Sequence, residues 1–90
     1  MKLETLKKRL KGFGKIKNMD TPNQFIIEFD NGKIFQSYNT IIAVVLNQQI
    51  YLTKSWDYSK TTGKYRNIFL NENKTETIQK IKNGEYKLID

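Results

Sequence analysis

Residues 24–35 read QFIIEFDNGKIF, and this stretch decides the fold class of the chain. Every second residue of its first half, at Phe25, Ile27 and Phe29, is large and apolar, which is the period of a strand with one buried face. Asn31-Gly32 follows, and this dipeptide is the strongest short hairpin signal because both residues tolerate positive φ. The stretch therefore predicts an antiparallel hairpin.

The predicted turn also sets the pairing of the hairpin. A two-residue turn at Asn31-Gly32 places Asp30 opposite Lys33 as an ion pair. Because directly opposite residues share a face of an antiparallel ladder, one face collects apolar side chains and is expected to be core. That face carries Phe25, Ile27, Phe29, Ile34 and Tyr38, with Phe25 set opposite Tyr38.

Further strands are predicted on both sides of the hairpin. Residues 41–46 are apolar throughout and suit a central strand that is buried on both faces. Asn47-Gln48 turns the chain, and residues 50–53 pair back as the next strand. Residues 13–17 add a short edge strand, whose lysines would block pairing between sheets.

A helix is predicted for residues 2–11, because Leu3, Leu6 and Leu10 recur at the spacing of one helical face. The apolar stripe is narrow, and cations occupy most of the remaining surface. A helix this short is unstable alone, so it docks on the protein or forms on binding. Two interpretations stay open: a basic binding helix, and a helix that covers a sheet with its leucines.

Two short helices are predicted after the sheet, at residues 60–70 and 74–82. Ser59 suits the N-cap of the first helix. Asn73 and Glu76 have the spacing of a capping box for the second.

Together these elements predict a single α+β domain over residues 1–90. It comprises a basic amphipathic helix at 1–11, an antiparallel sheet of about four to five strands at 13–53, two short helices at 59–83 and a candidate last strand at 85–89. No apolar run approaches the roughly 18 residues of a membrane span, and the N-terminus lacks an apolar signal core. We therefore expect a cytoplasmic protein.

The composition argues against catalysis and against metal binding. Cys and His are absent, which removes thiolate nucleophiles, imidazole bases and zinc sites built on nitrogen or sulfur. The nine carboxylates are scattered, with no spacing that suggests an acid/base pair or a hard-metal cage. No enzyme activity, catalytic residue, metal or cofactor is expected.

The net charge of +7 is concentrated at the N-terminus. Residues 1–17 carry seven cations and one carboxylate, which leaves +1 for the remaining chain. Such asymmetry favours an anionic partner, nucleic acid first and anionic lipid second. Solubility and a lysine-rich genome are the alternative explanation, since fourteen of the sixteen cations are Lys.

The window at residues 56–66, WDYSKTTGKYR, combines aromatic rings, hydroxyls and cations. On a helix with about 100° per residue, one arc is predicted to face the core and the other to face outward. The inward arc holds Thr61, Tyr65, Ile68 and Phe69, and the outward arc holds Lys60, Gly63, Lys64, Arg66 and Asn67. A phosphate could approach the backbone at Gly63. Alternatively, this segment only caps a helix, and Trp56 and Tyr58 plug the core.

Two blocks of the chain resemble a known group of proteins. SYNTIIA at residues 37–43 resembles a Ser-Tyr-x-Thr-x-Ile/Val-Ala pattern. SKTTGKY at 59–65, with Phe69-Leu70, resembles Ser-x-Thr-Thr-x-Lys-His/Tyr-x3-Phe/Trp-Leu. The pair is similar to small proteins of unassigned function encoded by phages and mobile elements of low-G+C Gram-positive bacteria. The likeness covers residues 33–70 and implies a source and a size class, without a mechanism.

Two functional hypotheses follow. The first is a non-enzymatic protein that binds nucleic acid, DNA or RNA, through its N-terminal cations and the Lys60/Lys64/Arg66 face. The alternative is a protein-binding inhibitor of a host defence machine, of the anti-CRISPR or anti-restriction type, which docks on a host nucleoprotein complex. Candidate contact residues for either are Lys7, Lys8, Arg9, Lys11, Lys15, Lys17, Trp56, Tyr58, Lys60, Gly63, Lys64, Arg66 and Asn67.

Overall fold

One six-stranded sheet organises the chain, as seen in a computed structural model that describes residues 1–89. The elements are α1 (Leu3–Arg9), β1 (Lys15–Asn18), β2 (Gln24–Phe29), β3 (Gly32–Ser37), β4 (Thr40–Leu46), β5 (Gln49–Thr53), α2 (Lys60–Leu70), α3 (Lys74–Lys82) and β6 (Lys87–Ile89). The strands lie side by side in chain order. The first five are antiparallel, and β6 runs parallel to β5. The predicted α+β class is confirmed, and the candidate last strand joins the sheet.

Helices cover the sheet on both faces. Ile34 and Phe35 are neighbours in β3 and therefore point to opposite sides. Ile34 packs with Leu6 of α1, whereas Phe35 packs beneath α2, where its ring stacks on Phe69 at a centroid distance of 5.5 Å. The protein thus has three layers, with α1 on one face of the sheet and α2 and α3 on the other.

Helix α1 is held to the sheet by its leucines. Leu6 is completely buried, and Leu3 and Leu10 are half-buried against the same cluster. Full burial of one leucine side chain contributes about 2 kcal/mol, and this packing stabilises a seven-residue helix that would be unstable alone. The second interpretation of this segment, a helix that covers the sheet, describes its packing.

The turn of the central hairpin lies one residue earlier than the sequence predicts. Phe29 pairs with Gly32, so Asp30 and Asn31 form the turn, and neither has a positive φ. A Cβ at Gly32 would lie 2.0 Å from the Val45 carbonyl oxygen, so the glycine is needed for close approach between strands. The predicted pairing of Asp30 with Lys33 is therefore wrong.

The shifted register changes which side chains reach the core. Phe25 lies opposite Gln36 instead of Tyr38, and Ile27 lies opposite Ile34. Tyr38 stands in the following turn with a φ of +55° and is exposed, which contradicts its predicted burial. The apolar face of the hairpin is otherwise as predicted, because a shift of two in the pairing preserves which face each residue occupies.

The C-terminal helices have the predicted bounds and caps. The Ser59 hydroxyl accepts a hydrogen bond from the Thr62 amide at 3.1 Å. Asn73 and Glu76 form the predicted capping box, with reciprocal bonds of 2.9 and 3.1 Å. No helix within residues 1–89 is long and apolar enough to cross a membrane.

A buried carboxylate joins α3 and β6 to the end of α2. The Glu72 side chain is 2% exposed and accepts hydrogen bonds from Thr77 Oγ1 at 2.5 Å, Tyr86 Oη at 2.7 Å and Lys80 Nζ at 2.7 Å. Burial alone would raise the pKa of Glu72, but these donors outweigh it and hold that pKa below its usual value. Burial and the bond to Glu72 raise the pKa of Tyr86 to about 12, so its hydroxyl stays a donor.

We expect Glu72→Gln to lower the free energy of unfolding by about 1–3 kcal/mol, because it removes the charged acceptor from three donors. Urea denaturation at neutral pH measures this difference. Glu85→Gln is the matched control, since Glu85 is exposed and its side chain bonds to no residue within 1–89. Equal effects of the two substitutions would contradict a stabilising role for the Glu72 network.

The contribution of Glu72 should also depend on pH. A carboxyl whose pKa is lowered in the folded state adds stability above its unfolded pKa, and this is lost as pH falls through the folded pKa. The stability difference between the native protein and Glu72→Gln should therefore be constant near neutral pH and shrink below about pH 4.3. A difference that grows on acidification would show that the donors do not favour the ionised form.

Candidate functional site

Helix α2 is rotated relative to the orientation that the sequence predicts. Thr62, Gly63 and Arg66 face the interior, whereas Thr61 and Ile68, which were predicted to be inward, are exposed. Tyr65 and Phe69 pack against the core as expected. The predicted helix phase was wrong because it assumed that the apolar side chains of α2 face the core. Polar side chains face the core instead, and they find hydrogen-bond partners inside the protein.

A pair of hydroxyl groups sets the phase of α2. Thr62 Oγ1 lies 2.9 Å from Ser37 Oγ at the end of β3, and both residues are buried. Ser59 Oγ lies 3.2 Å from the same threonine hydroxyl. Because a buried hydroxyl needs a hydrogen-bond partner, this contact fixes Thr62 inward and rotates the cations of α2 with it.

Arg66, predicted to be an outward cation, is 1% exposed. Its Nη1 donates to the Trp56 carbonyl oxygen at 2.9 Å and to Asp57 Oδ1 at 3.4 Å, and its Nη2 donates to Asn67 Oδ1 at 2.9 Å. The guanidinium also lies 5.2 Å from the centre of the Trp56 ring. Arg66 therefore joins the start of α2 to the preceding loop and is not a freely accessible phosphate ligand.

The notch predicted at Gly63 is filled by the protein itself. Gly63 is buried, and a Cβ placed there would lie 3.6 Å from both Nη atoms of Arg66. The guanidinium thus covers the backbone that a phosphate was expected to approach. Gly63 borders the surface at this point, but its amide donates to the Ser59 carbonyl oxygen at 2.8 Å, so this amide is not free to bind a phosphate.

A basic cleft remains above Arg66, with a volume of about 510 Å³. It is lined by Asp57, Ser59, Lys60, Gly63, Lys64, Arg66, Asn67 and Lys74. Four of these residues are cationic and one is anionic, so the lining carries a net charge of +3. We call this the basic cleft. Of its cations, Lys60, Lys64 and Lys74 are exposed and available to an anion.

Asp57 and Lys74 belong to the cleft but were missed as site residues. Asp57 Oδ2 lies 2.7 Å from Lys74 Nζ, and its Oδ1 lies 3.4 Å from Arg66 Nη1. The Lys74 ammonium, with a smaller effect of Arg66, holds the pKa of Asp57 below its usual value, so this carboxylate stays charged at neutral pH. No local pattern could pair these two residues, because they lie on different elements.

An adjoining groove is largely apolar and has a volume of about 410 Å³. It is lined by Lys17, Asn18, Met19, Asp20, Ile26, Lys64, Tyr65 and Ile68. We call this the apolar groove. Lys64 lines both the cleft and the groove, and its Nζ lies 5.4 Å from the centre of the Tyr65 ring.

The N-terminal cations divide between the two faces of the sheet. Lys7, Lys8 and Arg9 are exposed on α1, which lies on the face opposite α2. On β1, Lys17 lines the apolar groove on the α2 side, and Lys15 shares its face because strand residues alternate. Lys11 lies between α1 and β1, where its backbone bonds to the hairpin turn. The cations therefore form no single track.

The two undecided aromatic residues separate. Trp56 is half-buried against the core cluster under α2, in keeping with the structural alternative. Tyr58 is exposed and is not part of that core. Within residues 1–89, no group of carboxylates is placed to hold a metal ion.

Comparison with known proteins gives one match, to a protein family. The model of the Family of unknown function (DUF8033) matches residues 1–85, and so it includes the N-terminal segment that the two-block likeness left out. No curated protein and no solved structure is similar enough to this chain to count as a match.

We expect Arg66→Lys to lower the free energy of unfolding by about 1–3 kcal/mol, since lysine cannot reproduce the planar fork that bonds Trp56 and Asn67. Lys64→Gln, an exposed change on the same helix, should stay within about 0.5 kcal/mol. Thermal and urea unfolding measure both. If Arg66→Lys were as stable as the native protein, the buried bonds of Arg66 would have no structural weight.

Proposed function

The chain belongs to the Family of unknown function (DUF8033), and we propose that it binds single-stranded nucleic acid, DNA or RNA, on its α2 face. The observation that carries this proposal is the position of Lys64 on the border between the basic cleft and the apolar groove. A nucleic-acid strand alternates anionic phosphates with the flat apolar faces of its bases. A basic surface that continues into an apolar one fits both parts of such a strand.

The basic cleft supplies the phosphate contacts. Lys60, Lys64 and Lys74 carry flexible ammonium groups, which bind phosphate as point charges without the fixed geometry that arginine requires. Asp57 already engages Lys74 at 2.7 Å, so an incoming phosphate competes with this carboxylate. The competition lowers affinity and also disfavours anions that bring only a single charge.

The apolar groove supplies the base contacts. Tyr65 and Ile68 line one wall of the groove, and Ile68 is largely exposed. A base that stacks on an aromatic ring such as that of Tyr65 contributes about 1–3 kcal/mol with little dependence on sequence, and Ile68 adds an apolar contact. Lys17, across the groove, is placed to meet the next phosphate, so the N-terminal cations contribute through β1 and not through α1.

The wider setting is part of the same proposal. The likeness of residues 37–43 and 59–65 to phage and mobile-element proteins supports a small accessory protein of such an element, acting in the cytoplasm of its host. The absence of His and Cys from the sequence supports a binding role without catalysis.

A protein-binding inhibitor of a host defence machine is the second candidate. The exposure of Tyr58 and Phe13 favours it, since aromatic residues are enriched among interface anchors. A purified host nuclease complex, assayed with and without added protein, tests this function directly. Unchanged nuclease activity, together with partners that are all lost after nuclease treatment of a lysate, would reject it.

We expect the triple variant Lys60→Gln, Lys64→Gln, Lys74→Gln to bind a fluorescein-labelled oligothymidine at least roughly a hundredfold more weakly at about 50 mM salt, because it removes the three exposed cations of the basic cleft. The slope of log affinity against log salt is negative, and its magnitude should decrease by about 2, or roughly 0.7 for each lost phosphate contact. Fluorescence anisotropy with DNA and RNA probes measures both quantities.

The variant Lys7→Gln, Lys8→Gln, Arg9→Gln is the matched control. It removes the same net charge from α1, on the other face of the sheet, and should leave the affinity nearly unchanged. Equal losses in the two variants would mean that net charge alone drives binding, which contradicts a site on α2. No binding of the native protein at about 50 mM salt would reject nucleic acid as a ligand.

A further inference from the structure

We propose that the free edge of β1 binds an extended acidic segment of a partner protein, which adds to the sheet as a further strand. Within residues 1–89, β1 pairs only with β2, so one side of its backbone has no strand beside it. An unpaired edge presents amide and carbonyl groups that an incoming strand can bond. This inference concerns the free edge of β1 and not the basic cleft, although the two proposed surfaces share Lys17, which also lines the apolar groove.

The apolar side chains at this edge distinguish it from a merely protected one. Phe13 is 96% exposed and Ile16 is 67% exposed. Ile16 pairs with Ile27, so it lies on the α1 face of the sheet. Helix α1 packs over β3 and β4 and leaves this outer part of the face open. Phe13 precedes β1 and lies beside Lys15 and Lys17, so apolar side chains are exposed on both faces of this edge. Lysines alone would be enough to discourage pairing, and these apolar residues therefore favour an occupant for the edge.

The charge of the edge selects the chemistry of that occupant. Lys15 and Lys17 lie on the opposite face of β1 from Ile16. Directly opposite residues in neighbouring strands share a face, and opposite charges there stabilise the pair. The complementary strand therefore places acidic residues opposite the two lysines and an apolar residue opposite Ile16. Its pattern is acidic–apolar–acidic.

A second copy of the chain does not fit this edge. Antiparallel pairing of two β1 strands about Ile16 would set Lys15 of each copy opposite Lys17 of the other. Like charges placed directly opposite destabilise a strand pair. Lys17 already has an acidic partner within the chain, at 2.6 Å from Glu28, which leaves Lys15 as the cation that best reports on an added strand.

A peptide titration followed by amide NMR tests the proposal. The probe is a short peptide that alternates glutamate and valine, and the control is the same peptide with lysine in place of glutamate. The glutamate peptide should shift the amide signals of residues 15–18 and slow their hydrogen exchange, while the lysine peptide should not. An absence of shifts at millimolar peptide would overturn the proposal, as would shifts confined to residues 60–74 that an oligonucleotide reverses.

Three substitutions make the test specific to the edge. Ile16→Thr should weaken the glutamate peptide about two- to fivefold, since one apolar cross-strand contact is lost. Leu88→Thr is the control, because Leu88 is 54% exposed on the other edge strand, and it should have no effect. Lys15→Glu should shift the preference toward the lysine peptide. Equal effects of the two threonine variants, or an unchanged preference in Lys15→Glu, would overturn the proposal.

These outcomes separate this proposal from the proposed nucleic-acid function. Loss of the three lysines of the basic cleft should weaken oligonucleotide binding and leave peptide binding intact. Ile16→Thr should do the reverse. A substitution that weakened both ligands alike would mean that one surface serves both, which contradicts a separate edge site.

Discussion

Because β4 buries side chains on both of its faces, the sheet needs a cover on each side. Ile42 and Ala43 both pack toward α2 and α3, because a β-bulge opposite Phe35 and Gln36 interrupts the alternation of β4 at this point. Val44 and Leu46 pack toward α1. A chain of 90 residues is short and forms few helices that can cover the sheet. The short α1 must cover one face alone, and it leaves the outer strands partly bare. The same requirement that builds the core therefore also leaves an apolar margin on the surface.

On the other face, the cover is held by polar contacts as much as by apolar ones. Thr62 bonds to the sheet, and Arg66 bonds back to the loop before α2. Burying a guanidinium is costly unless its donors and its charge are met. Here a carbonyl, an amide oxygen, a carboxylate and an indole ring meet the two Nη groups and the charge, while Nε has no hydrogen-bond partner within residues 1–89. Of the cations in this region, Lys60 and Lys64 are exposed and bind an anion without displacing Asp57, whereas Lys74 is already paired with that carboxylate. The anion-binding capacity of α2 is thus smaller than its composition suggests and is confined to one cleft.

Local patterns predicted most elements, and long-range contacts account for the failures. The bounds of α2 and α3 and their caps depend on neighbouring residues, so the sequence alone sufficed. The turn at Asp30 depends on Gly32 meeting Val45, and the phase of α2 depends on Thr62 meeting Ser37. Neither contact can be predicted from the pattern of neighbouring residues in the sequence. For the same reason, Lys60 and Lys64 were predicted as site residues, whereas Lys74 and the separation of the cleft from the α1 cations were not.

The parallel strand β6 has a consequence for the order in which parts of the protein open. Strands β1 to β5 pair with their chain neighbours, whereas Lys87 meets Tyr51 across both C-terminal helices. Closing so long a segment costs entropy, which is offset by three residue pairs, by the Glu72 network and by the burial of Tyr86 and Ile89. We expect native-state hydrogen exchange to show α2, α3 and β6 opening together, below the energy of global unfolding. The part of the basic cleft formed by α2 and α3 would then open as a unit. A ligand bound there would slow amide hydrogen exchange throughout the C-terminal third of the chain.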